Sequence, residues 1–223
     1  MTRSVRSCCW VWCPLLSTFF APCWPGLYTV CPIVREDASV LPLSLGAIEY
    51  YQRADLGLAL LEHISLATAG EIQKQTERLL KIDIKREPSA YAALTEYEKL
   101  CQFRHAAAHA RGDLGHQNLQ ALGIPPGSGQ MALRVGFVAF QSAAAICQNI
   151  ARAYNRLLYR RTIERWISKR VMHGVWQDDR ERFSALFQLF YSKHDLLGAN
   201  RPYQSYRGLL PTLRRTVLSV TEA

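Results

Sequence analysis

Residues 88–112 read P-S-A-Y-A-A-L-T-E-Y-E-K-L-C-Q-F-R-H-A-A-A-H-A-R-G. This stretch decides the fold class, because it carries the start mark, the stop mark and the pattern of a helix. Pro88, with Glu87 before it, suits a first helical turn, where the missing N–H has no intrahelical partner to lose. Gly112 suits the position just past the end, where the backbone turns left-handed. Between them Leu94, Tyr97, Cys101 and Ala108 recur at helical spacing and form an apolar stripe. The spacing predicts a helix over about 89–110.

Outward from this helix the same period continues. Leu45, Ile48, Tyr51, Leu56, Leu60, Leu61 and Ile64 recur mostly at three to five residues, and Ile72, Leu79, Leu80 and Ile82 extend the pattern through 71–84. Downstream, glycines 112, 115, 123, 127 and 129 with Pro125 and Pro126 mark a loop region holding a short helix at His116–Ala121. From Leu133 to Arg170 the chain reads as one long helix or two, burying Phe137, Phe140, Ala144, Cys147, Ala151, Tyr154 and Leu158. Another helix, about 179–191, puts Phe183, Leu186, Phe187 and Phe190 on one face, with Asp178 or Asp179 as its cap. A last short helix follows Tyr206. No run alternates with period two and no hairpin dipeptide joins β-branched segments. The fold class is therefore all-α, a helical bundle, and residues 41–220 form one domain.

Composition agrees with a packed domain. Of 223 residues, 49% are hydrophobic and 20% charged, which excludes a collagen-like, rod-like or disordered chain. The net charge is +9, and it is polarised. Residues 1–34 contribute +2, residues 35–139 hold 11 basic and 12 acidic side chains, and residues 140–223 hold 14 basic and 6 acidic ones. Within the last third, Arg152, Arg156 and Arg160 lie four apart, as do Arg161, Arg165 and Lys169. At 3.6 residues per turn these make two neighbouring rows of cations, opposed in sequence by Glu164. The rows read either as a solvated helix face or as a surface that tracks phosphates; arginine's planar fork favours the second.

The first 40 residues differ from the rest. Five of the seven cysteines (Cys8, Cys9, Cys13, Cys23, Cys31) and three tryptophans (Trp10, Trp12, Trp24) crowd there, and nothing from Ser7 to Val34 is charged. Arg3 and Arg6 before an apolar run resemble a secretory signal. Pro14, Pro22, Pro25 and Pro32 interrupt any spanning helix, so a membrane is not the expected partner. The expectation is a Cys/Trp/Pro-rich extension over 1–40 that is disordered or not native, with a signal or anchor as the alternative. Cys9 and Cys13 have a zinc-like spacing but lack a second pair.

The residues that can carry chemistry are Arg104, His105 and His109, near the end of the 89–110 helix among small alanines. His105 and His109 are four apart and share a helix face; Arg104 points elsewhere by its angle, with a side chain long enough to bend back. A helical zinc protease would need a glutamate directly after the first histidine, and that position is Ala106. Cys101, His105 and His109 have no carboxylate to complete a metal site, so neither metal nor cofactor is expected. Histidines near a helix C-terminus are also favoured by the helix dipole alone.

Arg104, four intervening residues and His109, with a polar residue after the arginine, fit the R-x4-6-H motif; R-H-x-x-x-H-x-x-G runs through Gly112. In this the chain resembles the HEPN superfamily over about residues 44–220. The resemblance implies an HEPN-like helical bundle that forms a homodimer, bringing two motifs together. It further implies a metal-independent endoribonuclease, of the kind found as toxins of toxin–antitoxin or phage-defence systems, with an antitoxin as a further partner. Its alternative is a non-catalytic module binding nucleotide, RNA or protein. On the catalytic reading His109 is general acid or base, Arg104 stabilises charge on the phosphate, and His105 orients or assists. Arg152, Arg156, Arg160, Arg161 and Arg165 then hold RNA, and the expected location is the cytoplasm. No phosphate-binding glycine loop and no nucleophile elbow compete with this.

Overall fold

The computed structural model describes residues 23–64, 66, 68–110, 112–125, 129, 131–192 and 201–221, without the side chains of 54 and 214–221. It is mostly helical, with one short two-stranded ladder among the described residues. The chain packs as two compact units, one holding residues 62–154 and the other residues 23–61 and 155–223, with residues 1–22 outside the description.

In the first unit, α5 (Ala69–Leu80) follows a 3-10 turn and shorter helices that belong to the other unit. Thr68 caps it by accepting from the Glu71 N–H at 3.2 Å. Helix α6 (Pro88–His109) starts on its proline as the sequence indicates. It ends where Gly112, at φ 97°, donates its N–H back to the Ala106 carbonyl at 3.0 Å. The Glu98 carboxylate on α6 accepts from the Ala69 N–H at 2.8 Å, placing a negative charge at the N-terminus of α5. Gln102, one turn on, donates to Glu98 at 2.6 Å and accepts from Asn118 of α7 (His116–Ala121) at 3.0 Å. One polar edge of α6 thus ties down two neighbouring helices. Strands β1 (Asp113–Leu114) and β2 (Met131–Ala132) pair antiparallel, and the Leu133 N–H donates to the Gly112 carbonyl at 2.7 Å.

The core of this unit is Ile72, Leu79 and Leu80 of α5, Leu94, Tyr97 and Cys101 of α6, and Cys147, Ile150 and Tyr154 of α8 (Phe137–Ser168). Tyr154 hydroxyl and Thr76 Oγ1 meet at 2.6 Å inside it. The alanine expected in the α6 stripe, Ala108, is exposed, and Ala106 and Ala107 are buried in its place. Phe137 is not buried as expected either: it stands 74% exposed on the first turn of α8.

The second unit contains residues 23–38, which the sequence places in the extension. Residues 23–30 are helical (α1) and α2 (Pro32–Ala38) follows, with Pro32 in its first turn. Trp24, Leu27, Cys31, Ile33 and Val34 are buried. Trp166 of α8 donates its indole N–H to Cys31 Sγ at 3.0 Å. Gly57 of α4 (Leu56–Ala59) lies so close to α1 that a Cβ there would sit 2.8 Å from the Pro25 Cα. Helix α3 (Leu45–Tyr50), capped by Ser44, exposes Leu45 and Ile48, so the periodicity read there does not mark a core face.

Helix α9 (Trp176–Phe190) buries Phe183, Leu186, Phe187 and Phe190, the face read from sequence. It packs on α10 (Pro202–Thr221). Tyr206 of α10 stands edge-on to Phe183 at 5.2 Å between ring centroids and tilted against Trp176 at 5.1 Å. The helix starts at Trp176, so Asp179 lies inside its first turns rather than at the cap. There its carboxylate accepts the N–H groups of His173 and Gly174 and the hydroxyl of Tyr206. Among the described residues no helix is long and apolar enough to cross a membrane.

Candidate functional site

Helical geometry determines how the three motif residues sit on α6. Each residue turns the helix by about 100°, so His105 and His109 lie about 40° apart and Arg104 and His109 about 140° apart. The structure keeps this division. His105 and His109 are exposed, with ring centroids 4.8 Å apart and planes at 46°. They continue the polar edge that carries Glu98 and Gln102. The Ala106 and Ala107 side chains beside them are buried.

Arg104 does not bend back to the histidines. It is half-buried and lines a cavity of about 410 Å³ between α6, the first half of α8 and residues 133–135. Leu100, Phe103, Leu133, Phe140 and Ile146 supply much of the wall. Arg134 is the second cation of the lining, and no acidic side chain is among the described lining residues. The Arg104 Nε is buried without a hydrogen-bond partner. An unmet buried donor of this kind costs about 1–3 kcal/mol, more when charged. The motif therefore presents two faces: an imidazole pair open to solvent, and an arginine that lines an apolar cavity with its Nε buried.

The expected RNA-holding arginines are engaged to different degrees. Arg165 pairs with Asp37 in the second unit. Arg161 and Arg160 share Glu164, at 2.7 and 4.0 Å. Arg156 is exposed and Arg152 half-buried. Sequence spacing could show Glu164 near Arg160 and Arg161, but not Asp37, which comes from residues read as an extension.

Among the described residues no three His, Cys, Asp or Glu side chains gather into a site. Cys23, Cys31, Cys101 and Cys147 are buried thiols, and burial pushes the Cys23 thiol up to about 12, far from the thiolate a metal needs. The cavity is the candidate feature that sequence reading missed. Its walls come from residues 97–104 and 133–147, and no spacing rule links these.

Compared with known proteins, the chain matches no protein-family model, no curated protein and no solved structure. The class that the fold defines is thus the coarse one: a mostly helical protein.

Proposed function

We propose that the protein is an HEPN-like, metal-independent endoribonuclease acting as a homodimer, with the toxin of a toxin–antitoxin or phage-defence system as its setting. The observation that carries this reading is the exposed His105–His109 pair on the last turn of α6, 4.8 Å between centroids and directly after Arg104. Two imidazoles on one open face can divide the work of RNA cleavage. One takes the proton of the ribose 2′-OH, whose oxygen attacks the adjacent phosphorus. The other gives a proton to the departing 5′-oxygen, leaving a 2′,3′-cyclic phosphate and a free 5′-hydroxyl. A guanidinium stabilises the charge that builds on the phosphate oxygens, and no metal is needed.

In this reading the guanidinium acting with a given His109 belongs to a second copy, since about 140° of helix separates Arg104 from His109 within one chain. Phe137 and Val138, each 74% exposed, offer the first unit an apolar surface of the sort that protein contacts cover. RNA is the substrate, Arg156 its first backbone contact, an antitoxin the further partner and the cytoplasm the location.

A second reading has its own observation. Arg104 is turned into the cavity, which favours a non-catalytic module that binds nucleotide, RNA or protein. Incubating the purified protein with RNA in EDTA separates the two. Cleavage lost in both Arg104→Ala and His109→Ala supports the nuclease. RNA binding without cleavage, surviving in both variants, supports the module.

A further inference from the structure

We infer that the cavity between α6 and α8 is a binding site for a small amphipathic acid, an apolar body ending in one carboxylate. The size falls within the range of small-molecule sites, and the lining is apolar except for a few polar groups, as such sites are. Those polar groups have one sign. Arg104 and Arg134 both line the cavity, and no carboxylate does so among the described residues. Neither arginine side chain makes a hydrogen bond or ion pair with a described residue, and Arg104 Nε is buried without a partner among them.

Leaving the Arg104 Nε buried and unmet is costly, and a guanidinium is the group best matched to a planar carboxylate. The apolar body of the ligand would lie against Leu100, Phe140 and Ile146, with Tyr97 and Cys147, both buried, behind them. Arg134 is exposed and hydrated, so a neutral hydrocarbon would leave Arg104 unmatched, and a cation would be repelled by both arginines. This assignment stands on the cavity itself and holds whether or not the protein cuts RNA.

Titration calorimetry of the full chain with octanoate, octan-1-ol and octylammonium tests it. Octanoate should bind with a dissociation constant of about 1 mM or tighter, and octylammonium at least about tenfold more weakly. Arg104→Met should weaken octanoate by about tenfold or more and leave octanol within about twofold. Ala143→Phe, which fills the cavity from α8, should abolish binding of both. Ile146→Phe serves the same purpose if the first variant does not fold. Wild-type protein that binds no octanoate, or binds it as well as octylammonium, overturns the assignment. So does equal octanoate binding by wild type, Arg104→Met and a folded cavity-filling variant.

Discussion

Replacing Asp179 should be among the most damaging single changes in the second unit. The side chain is 3% exposed, yet it is charged. Burial alone would push its carboxyl up, but the Tyr206 hydroxyl, the His173 and Gly174 N–H groups and the His173 ring together hold it below its ordinary value. Asp179→Ala removes the acceptor for donors on three residues. The Tyr206 hydroxyl is fully buried and Gly174 half-buried, so neither regains full hydration; His173 is exposed and does. Hydrogen bonds to a charged group contribute about 1.5–3 kcal/mol each, so two lost from poorly hydrated donors total roughly 3–6 kcal/mol. Asp179→Asn keeps one oxygen and turns an N–H toward the donors, for roughly half that loss. Trp24, Trp166 and Trp176 all lie in this unit, so tryptophan fluorescence during urea unfolding, in a Trp10→Phe, Trp12→Phe background, follows it. An Asp179→Ala protein within about 1 kcal/mol of wild type would refute the argument, because stranding buried donors by removing their charged acceptor costs more than that. The pH dependence has a defined sign. The folded carboxyl titrates below the unfolded one, so its contribution is complete above the unfolded value near 3.9 and is lost as the pH falls through the folded value. Tyr206 behaves oppositely: burial and the Asp179 carboxylate raise its phenol, so that contribution is complete below about 10 and is lost as the pH rises through the folded value.

Four further outcomes are expected. His109→Ala should lower the rate of RNA cleavage by about 10²–10⁴-fold, the usual worth of a general acid or base, in single-turnover assays with EDTA; an unchanged rate removes His109 from the mechanism. Arg156→Glu should weaken RNA binding without changing single-turnover cleavage, and should flatten the salt dependence of affinity by about one phosphate contact; an unaltered salt slope removes Arg156 from the interface. Gly57→Ala should destabilise the second unit by about 1–3 kcal/mol, because its new methyl meets backbone at Pro25 rather than a side chain that can turn aside; denaturant unfolding at wild-type strength would contradict the close approach of α1 and α4. A chain beginning at Leu41 should fail to fold its second unit, since it lacks Trp24, Leu27, Cys31, Ile33 and Val34 from the core; a cooperative transition for that chain, followed by Trp166 and Trp176 fluorescence, would place these residues outside the fold.

Much of the fold was readable in local signals. Pro88 and Gly112 bracket α6 because each fixes a backbone state that a helix end requires. The α9 stripe was readable because aromatic residues repeat along one face. Residues 23–38 were misleading, since cysteine, tryptophan and closely spaced prolines look foreign beside the rest of the chain. Yet Pro32 is in the first turn of α2, and that position is where helices accept proline. Phe137 departs from its pattern for a different reason: periodicity tells which residues share a face, not whether a neighbour covers it. At the candidate site the angular separation of Arg104 from the histidines could be calculated from spacing. That the arginine would turn toward residues 133–147 could not, because that choice depends on segments distant in sequence.

The opposed faces of α6 have a genetic consequence. If a working centre needs Arg104 and His109 from different chains, two inactive variants should rescue each other. Mixing Arg104→Ala with His109→Ala subunits and letting them exchange would assemble some pairs with one centre wholly intact and the other doubly defective. About half of randomly mixed dimers would be of this kind, restoring about a quarter of the centres. If both residues serve from one chain, every mixture stays silent, whatever its proportions.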